Sequence, residues 1–96
     1  MPSEIEIEFD PVKDAKNLAK HGVSLGSVAV FEWDSARVDE DVRQLYPERR
    51  FIATGRLDGV FRELVFRMRG SAIRVISLRK SNRREIKKHE DQNQIG

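Results

Sequence analysis

The chain contains no cysteine. That excludes disulfide scaffolding, thiolate-bound zinc and thiol nucleophiles. Histidine is scarce: His21 and His89 are the whole set, and neither stands at metal-ligand spacing from the other or from carboxylates, so no metal and no other cofactor is expected. Aromatic residues make up 7%, with one tryptophan and one tyrosine, a thin supply for stacking on planar ligands. No apolar run approaches the roughly 20 residues that cross a bilayer. The first residues, Met1-Pro2-Ser3-Glu4-Ile5-Glu6-Ile7-Glu8, are acidic and alternating, unlike a secretory leader. A cytoplasmic protein without membrane contact is the expectation.

Charged residues, by contrast, are abundant at 35%. The net charge of +2 conceals a division. Residues 1–48 carry 5 Lys+Arg against 11 Asp+Glu, a net −6; residues 49–96 carry 13 against 5, a net +8. A basic half of this kind suits a polyanion or an acidic partner, and it also suits two complementary surfaces within one fold.

With 96 residues the chain is expected to form a single domain over 1–96, ordered from about 4 to 90 with a flexible tail over 91–96. Residues 4–9 alternate glutamate with Ile5, Ile7 and Phe9, the period of a half-buried edge strand. Asp10-Pro11 reads as a helix cap and first position, and Gly22 as the left-handed stop. Between them Val12, Ala15, Leu18 and Ala19 form an apolar stripe, and Lys13, Asn17, Lys20 and His21 an opposite polar one. A second short helix is expected from Ser24 to Phe31 or Trp33, and a loop over 39–48. Strands follow over 49–54, 60–68 and 71–78, with turns at Leu57-Asp58-Gly59 and Arg69-Gly70. Helical periodicity returns from Lys80 to about Glu90 with little besides Ile86 to bury. The expected class is α+β: an antiparallel sheet with two N-terminal helices packed on one face and a C-terminal helix.

Several of these segments carry a resemblance. Asp10-Pro11-x-Lys13-x-x-x-Asn17-x-x-Lys20-His21-Gly22-Val23-Ser24, then Arg50-Phe51-Ile52-Ala53-x-Gly55, Ile73-Arg74-Val75-Ile76-Ser77-x-Arg79 and Arg83-Arg84-Glu85 together resemble the BrnT family. Those proteins are ribonuclease toxins of type II toxin–antitoxin pairs, with a RelE-like fold. The resemblance covers roughly residues 7–90. It departs at Phe9, Arg67, Leu78 and His89, where the family usually has tryptophan, threonine, alanine and tyrosine. It implies metal-independent cleavage of RNA, with inhibition of translation and growth. It also implies neutralisation by a BrnA-like ribbon-helix-helix antitoxin, with operator DNA bound only through the toxin–antitoxin complex, and a dimer within that complex.

Such cleavage requires activation of a ribose 2′-hydroxyl, stabilisation of the phosphorane and protonation of the leaving 5′-oxygen. His21, Arg74 and Arg79 are the candidate catalytic residues. His21 ends a helix whose carbonyls favour a protonated imidazole; the same position suits a plain C-cap. Arg74 on a rigid strand suits a phosphate, and equally an ion pair with Glu63 on the neighbouring strand. Arg79 at the strand-to-helix junction suits phosphate. Lys20, Arg69, Lys80, Arg83, Arg84 and Lys87 are candidate RNA contacts; the last helix suits RNA, an acidic antitoxin surface or plain solvent. For Lys13 and Asn17 a solvated helix face is expected, Glu85 is expected to pair with Lys88 or Arg84, and Tyr46 is not expected to stack on a base. The competing function is a non-catalytic module that keeps the fold and the partner surface.

Overall fold

In the computed structural model, described over residues 6–95 with side chains to residue 91, the strands are β1 (Ile7–Glu8), β2 (Arg37–Glu40), β3 (Phe51–Leu57), β4 (Val60–Arg69) and β5 (Ala72–Lys80). They form one sheet in the order β1-β5-β4-β3-β2. The meander β3–β4–β5 follows from its turns. Asp58 and Gly59 both hold positive φ, 53° and 79°, as a two-residue hairpin turn that matches strand twist requires. The sheet is not wholly antiparallel as expected. β1 runs parallel to β5, with Ile7 opposite Ile73 and Glu8 opposite Arg74. Alternation assigns side chains to faces but carries no information on strand direction, which the long connection from β1 leaves free.

One face of the sheet carries the core, built from Ala53, Leu57, Leu64, Phe66, Ile73, Val75 and Leu78. A bulge makes this face continuous. Val65 pairs with Ser77 and Phe66 with Val75, so Ile76 is the extra residue, and Val75 and Leu78, three apart, both point inward. Covering this face is a 3-10 helix, Leu25–Val30, that buries Leu25 and Val28, followed by Phe31 and a further 3-10 turn at Trp33–Ser35. The expected second helix is thus two tight turns, because Gly26, Ser27 and the β-branched Val28 and Val30 favour the α form weakly. Phe31 lies so close to β3 that a Cβ on Gly55 would meet its ring at 2.8 Å, which explains glycine in mid-strand.

Helix α1 (Pro11–His21) has the expected ends. The Asp10 carboxylate accepts from the Val12 N–H at 2.8 Å, and Gly22, at φ 73°, donates its N–H to the Leu18 carbonyl. Its rotation reverses the expectation. Val12 and Leu18 are 62% and 51% exposed, whereas Asn17, expected in solvent, is 7% exposed. Asn17 Nδ2 donates to the carbonyls of Leu78 (2.8 Å) and Val23 (3.0 Å), and its Oδ1 accepts from the Leu78 N–H (3.2 Å). β1 covers β5 only at residues 73 and 74, leaving the rest of that edge without a strand. Asn17 presents to it a donor and an acceptor, as another strand would. α1 therefore lies along the sheet edge, braced to the 3-10 helix by Asp14, whose carboxylate accepts from the Ser24 hydroxyl (2.9 Å) and the Leu25 N–H (2.7 Å).

Helix α2 (Arg83–Ile95) starts later and ends later than expected: residues 91–95 are helical, and Gly96 lies outside the described residues, as do residues 4 and 5 of the N-terminal expectation. Asn82 and Glu85 cap it reciprocally: the Asn82 side chain accepts from the Glu85 N–H (2.9 Å), and Glu85 accepts from the Asn82 N–H (2.8 Å). Glu85 also receives both arms of Arg79, at 2.6 and 3.0 Å, rather than pairing with Lys88 or Arg84. His89 is the buried anchor of this helix, 4% exposed, sharing a 2.6 Å hydrogen bond with the Ser35 carbonyl and meeting Phe61 edge-on. No helix of the described residues is long and apolar enough to cross a membrane.

Two outcomes follow. Asn17→Ala leaves the Leu78 N–H and C=O without partners, costing about 3 kcal/mol and lowering Tm by roughly 10–20 °C, to be read by thermal unfolding. For Glu85, burial opposes ionisation, but the hydrogen bonds from Arg79 and the Asn82 N–H prevail and hold its carboxyl below its ordinary range. Its charge therefore stabilises the fold fully above that range, and the gain is lost as pH falls through the depressed folded-state value. In denaturant titrations the parent should be more stable than Glu85→Gln at pH 7, and the gap should close in acid.

Candidate functional site

A cleft of about 240 Å³ opens where the N-terminal turn of α1, strands β4 and β5, and the end of the 41–50 loop converge. Lys13, Arg50, Arg67 and Arg74 line it, with Asp10 and Glu48 as the acidic members. Arg67 and Arg74 are directly opposite on neighbouring antiparallel strands. Two like charges so placed repel, by an amount on the order of 0.2–1 kcal/mol. Carboxylates from outside the two strands offset this. Glu48 receives Arg67, while Glu8 lies 3.8 Å from Arg74 and 3.4 Å from Arg69. Both cleft arginines are half-buried and carried by a rigid sheet, so their forks are held at fixed separation.

The loop that brings Arg50 and Glu48 to the cleft is pinned at its root. Asp41 is 4% exposed; it accepts from Arg43 Nε and Nη2, both at 2.8 Å, and from the Tyr46 hydroxyl at 2.9 Å. The Arg43 hydrogen bonds outweigh burial and hold the Asp41 carboxyl far below the usual carboxylate range. The Asp41 N–H donates to the Arg50 carbonyl at 2.8 Å, closing the loop. The Arg50 guanidinium lies over the Tyr46 ring, 4.3 Å from its centroid. Chemically the cleft offers four cations to a phosphate and two carboxylates and an amine to a proton.

Of the expected catalytic residues, Arg74 is in the cleft and the other two are not. His21 is half-buried at the opposite end of α1, eight residues from Lys13 and about 12 Å along the helix axis. Gly22 supplies the left-handed stop of α1 as expected, and His21 is the last helical residue before it. Arg79 stands five residues beyond Arg74 on β5, about 16 Å along the strand, committed to Glu85. Arg69 is exposed and pairs with Glu8, and Lys20, Lys80, Arg83, Arg84 and Lys87 are exposed, Lys87 lying 3.6 Å from Asp91.

The alternative given for Arg74, an ion pair with Glu63, does not form. Glu63 faces Arg79 across the strands, is 3% exposed, and accepts from the hydroxyls of Thr54 (2.8 Å) and Ser81 (2.6 Å). Sequence reasoning also missed Arg50 and Arg67, and set Lys13 aside as solvated. A signal for Arg67 existed in the hairpin. Counting outward from a turn at Gly70-Ser71 puts Arg67 opposite Arg74, whereas a turn placed at Arg69-Gly70 puts Val65 there.

The model of the family described as "Ribonuclease toxin, BrnT, of type II toxin-antitoxin system" matches residues 9–85. No curated protein matches the chain. Among solved structures, the fold is similar to the crystal structure of the Brucella abortus ribonuclease toxin BrnT. That match has a TM-score of 0.65 and 27% sequence identity over 82% of this chain and 99% of the other. Every cleft residue named above falls within the matched span, and the chain belongs to the BrnT family of type II ribonuclease toxins.

Proposed function

We propose that this chain cleaves RNA in the cleft formed by Lys13, Arg50, Arg67 and Arg74. The observation that carries the reading is the cross-strand Arg67–Arg74 pair: two arginines directly opposite on neighbouring strands and lining one cleft, at some cost to the fold, relieved when an anion binds between them. The scissile phosphate sits between these forks. Its neighbouring ribose 2′-oxygen attacks phosphorus, the bond to the 5′-oxygen breaks, and a cyclic phosphate and a free 5′-hydroxyl result. The arginines stabilise the additional charge of the phosphorane. Asp10 and Glu48 are the bases available to the 2′-hydroxyl proton, and Lys13 is the acid available to the leaving oxygen. No metal or cofactor enters this scheme.

Lys80, Arg83 and Arg84 lie toward the other end of β5 and extend the basic surface, where they hold flanking phosphates rather than the reacting one, while Arg79 stays tied to Glu85. His21 belongs to that second group in this reading. His89, in the family's usual tyrosine position, packs α2 against Phe61 and lies outside the cleft lining, so its identity bears on the helix rather than on cleavage. The antitoxin is of the BrnA ribbon-helix-helix type. It neutralises the toxin and carries the complex to operator DNA, and the toxin acts in the cytoplasm.

Purified protein in chelator, incubated with a long single-stranded RNA, tests the assignment. Arg74→Ala and Arg67→Ala should each lower the cleavage rate by about 100-fold or more, the loss typical of a missing transition-state donor. His21→Ala and Arg83→Ala should stay within about tenfold and act mainly through RNA affinity. Cleavage by the parent should also weaken steeply with salt. Equal cleavage by all preparations removes the cleft from the mechanism, and no cleavage by the parent, on free RNA or in translation extract, favours the non-catalytic reading.

A further inference from the structure

Because Asn17 turns the polar side of α1 toward the sheet edge, the apolar stripe of Val12, Ala15, Leu18 and Ala19 faces outward. These positions lie on one face by helix geometry, and nothing among the described residues buries Val12 or Leu18. Exposed apolar side chains elsewhere, such as Val42 and Leu45, sit on the irregular 41–50 loop and offer no regular face. Along the Val12 side of the stripe runs a row of lysines, Lys13, Lys16 and Lys20, all exposed. An apolar strip with a cationic margin fits an amphipathic segment with an acidic margin. A second copy of this chain packed antiparallel fits poorly, since that arrangement brings one lysine row toward the other.

We propose that this face of α1 docks the antitoxin, through a segment with apolar side chains at helical spacing bordered by aspartate or glutamate. The proposal rests on the family assignment, which makes this chain one member of a toxin–antitoxin pair, and does not depend on the cleft. Docking supplies the burial that an 11-residue helix anchored by polar contacts lacks.

The test uses the full chain co-expressed with the tagged antitoxin of its own operon, as parent and as Leu18→Glu, Ala15→Glu and the double variant Lys16→Glu/Lys20→Glu. Dissociation constants are measured by calorimetry at low and high salt, beside RNA cleavage and thermal unfolding of each variant. Leu18→Glu and Ala15→Glu should each weaken antitoxin binding by about 30-fold or more, as expected for a charge at the centre of an interface. The lysine variant should weaken it less and flatten its salt dependence. Tm should stay near that of the parent for all three, because these side chains are exposed, and the Leu18→Glu chain should cleave RNA as the parent does while escaping neutralisation. Binding unchanged in the Glu variants overturns the location. So does a parent that sediments as a dimer dispersed by Leu18→Glu, or one that binds anionic vesicles through this stripe in preference to the antitoxin. A parent that binds no antitoxin overturns the partner reading itself, a result distinguishable from the others by the parent alone.

Discussion

The placement of everything around β5 depends on one side-chain amide. Asn17 closes the unpaired edge of that strand with a donor and an acceptor to Leu78 and reaches Val23 with its second hydrogen. A buried, fully used amide of this kind tolerates little change, because loss of either partner strands backbone polar groups in a site closed to water. It fixes both the position of α1 along the strand and its rotation. From the position follows Lys13 beside Arg74 at the cleft, and from the rotation follows the outward apolar stripe.

The cleft itself is an arrangement of opposed costs. Arginines that repel are brought together by sheet register, and carboxylates arriving from β1 and from the 41–50 loop keep the pair tolerable. In the proposed reaction a phosphate would meet the same forks that Glu48 and Glu8 occupy, exchanging one set of charge-assisted contacts for another. That exchange suits release of product as well as capture of substrate.

At the other end of β5 the charges serve the fold. Arg79 is tied to Glu85, and Glu85 caps α2, so the arginine that looked most available in the sequence is a structural tie between sheet and helix. His89 makes the second tie, against Phe61 and the Ser35 carbonyl. A helix with so few apolar residues stays on the sheet through these two anchors.

The sequence by itself determined the local and periodic features. The α1 caps, the Asp58-Gly59 hairpin, the three meander strands and the α+β class rest on φ preferences and on period-2 patterning within short windows, and so does the resemblance to the BrnT family. The placement of Arg74 within the last meander strand was legible too, because it sits in a regular segment that alternation assigns. Only the tertiary structure decided the rest. Which side of α1 is inside depended on a backbone edge sixty-one residues away, and a hydrogen-bonding demand there outweighed the hydrophobic stripe. The company of Arg74 depended on register: a one-residue difference in turn placement exchanges Val65 for Arg67 opposite it, and the bulge at Val65/Phe66 sets Glu63 opposite Arg79. Direction of β1, the closeness of Arg50 and Lys13 to the cleft, and the capture of Arg79 by Glu85 share that cause. Each is a meeting of segments distant in sequence, and short-range pattern carries no record of which distant segments meet.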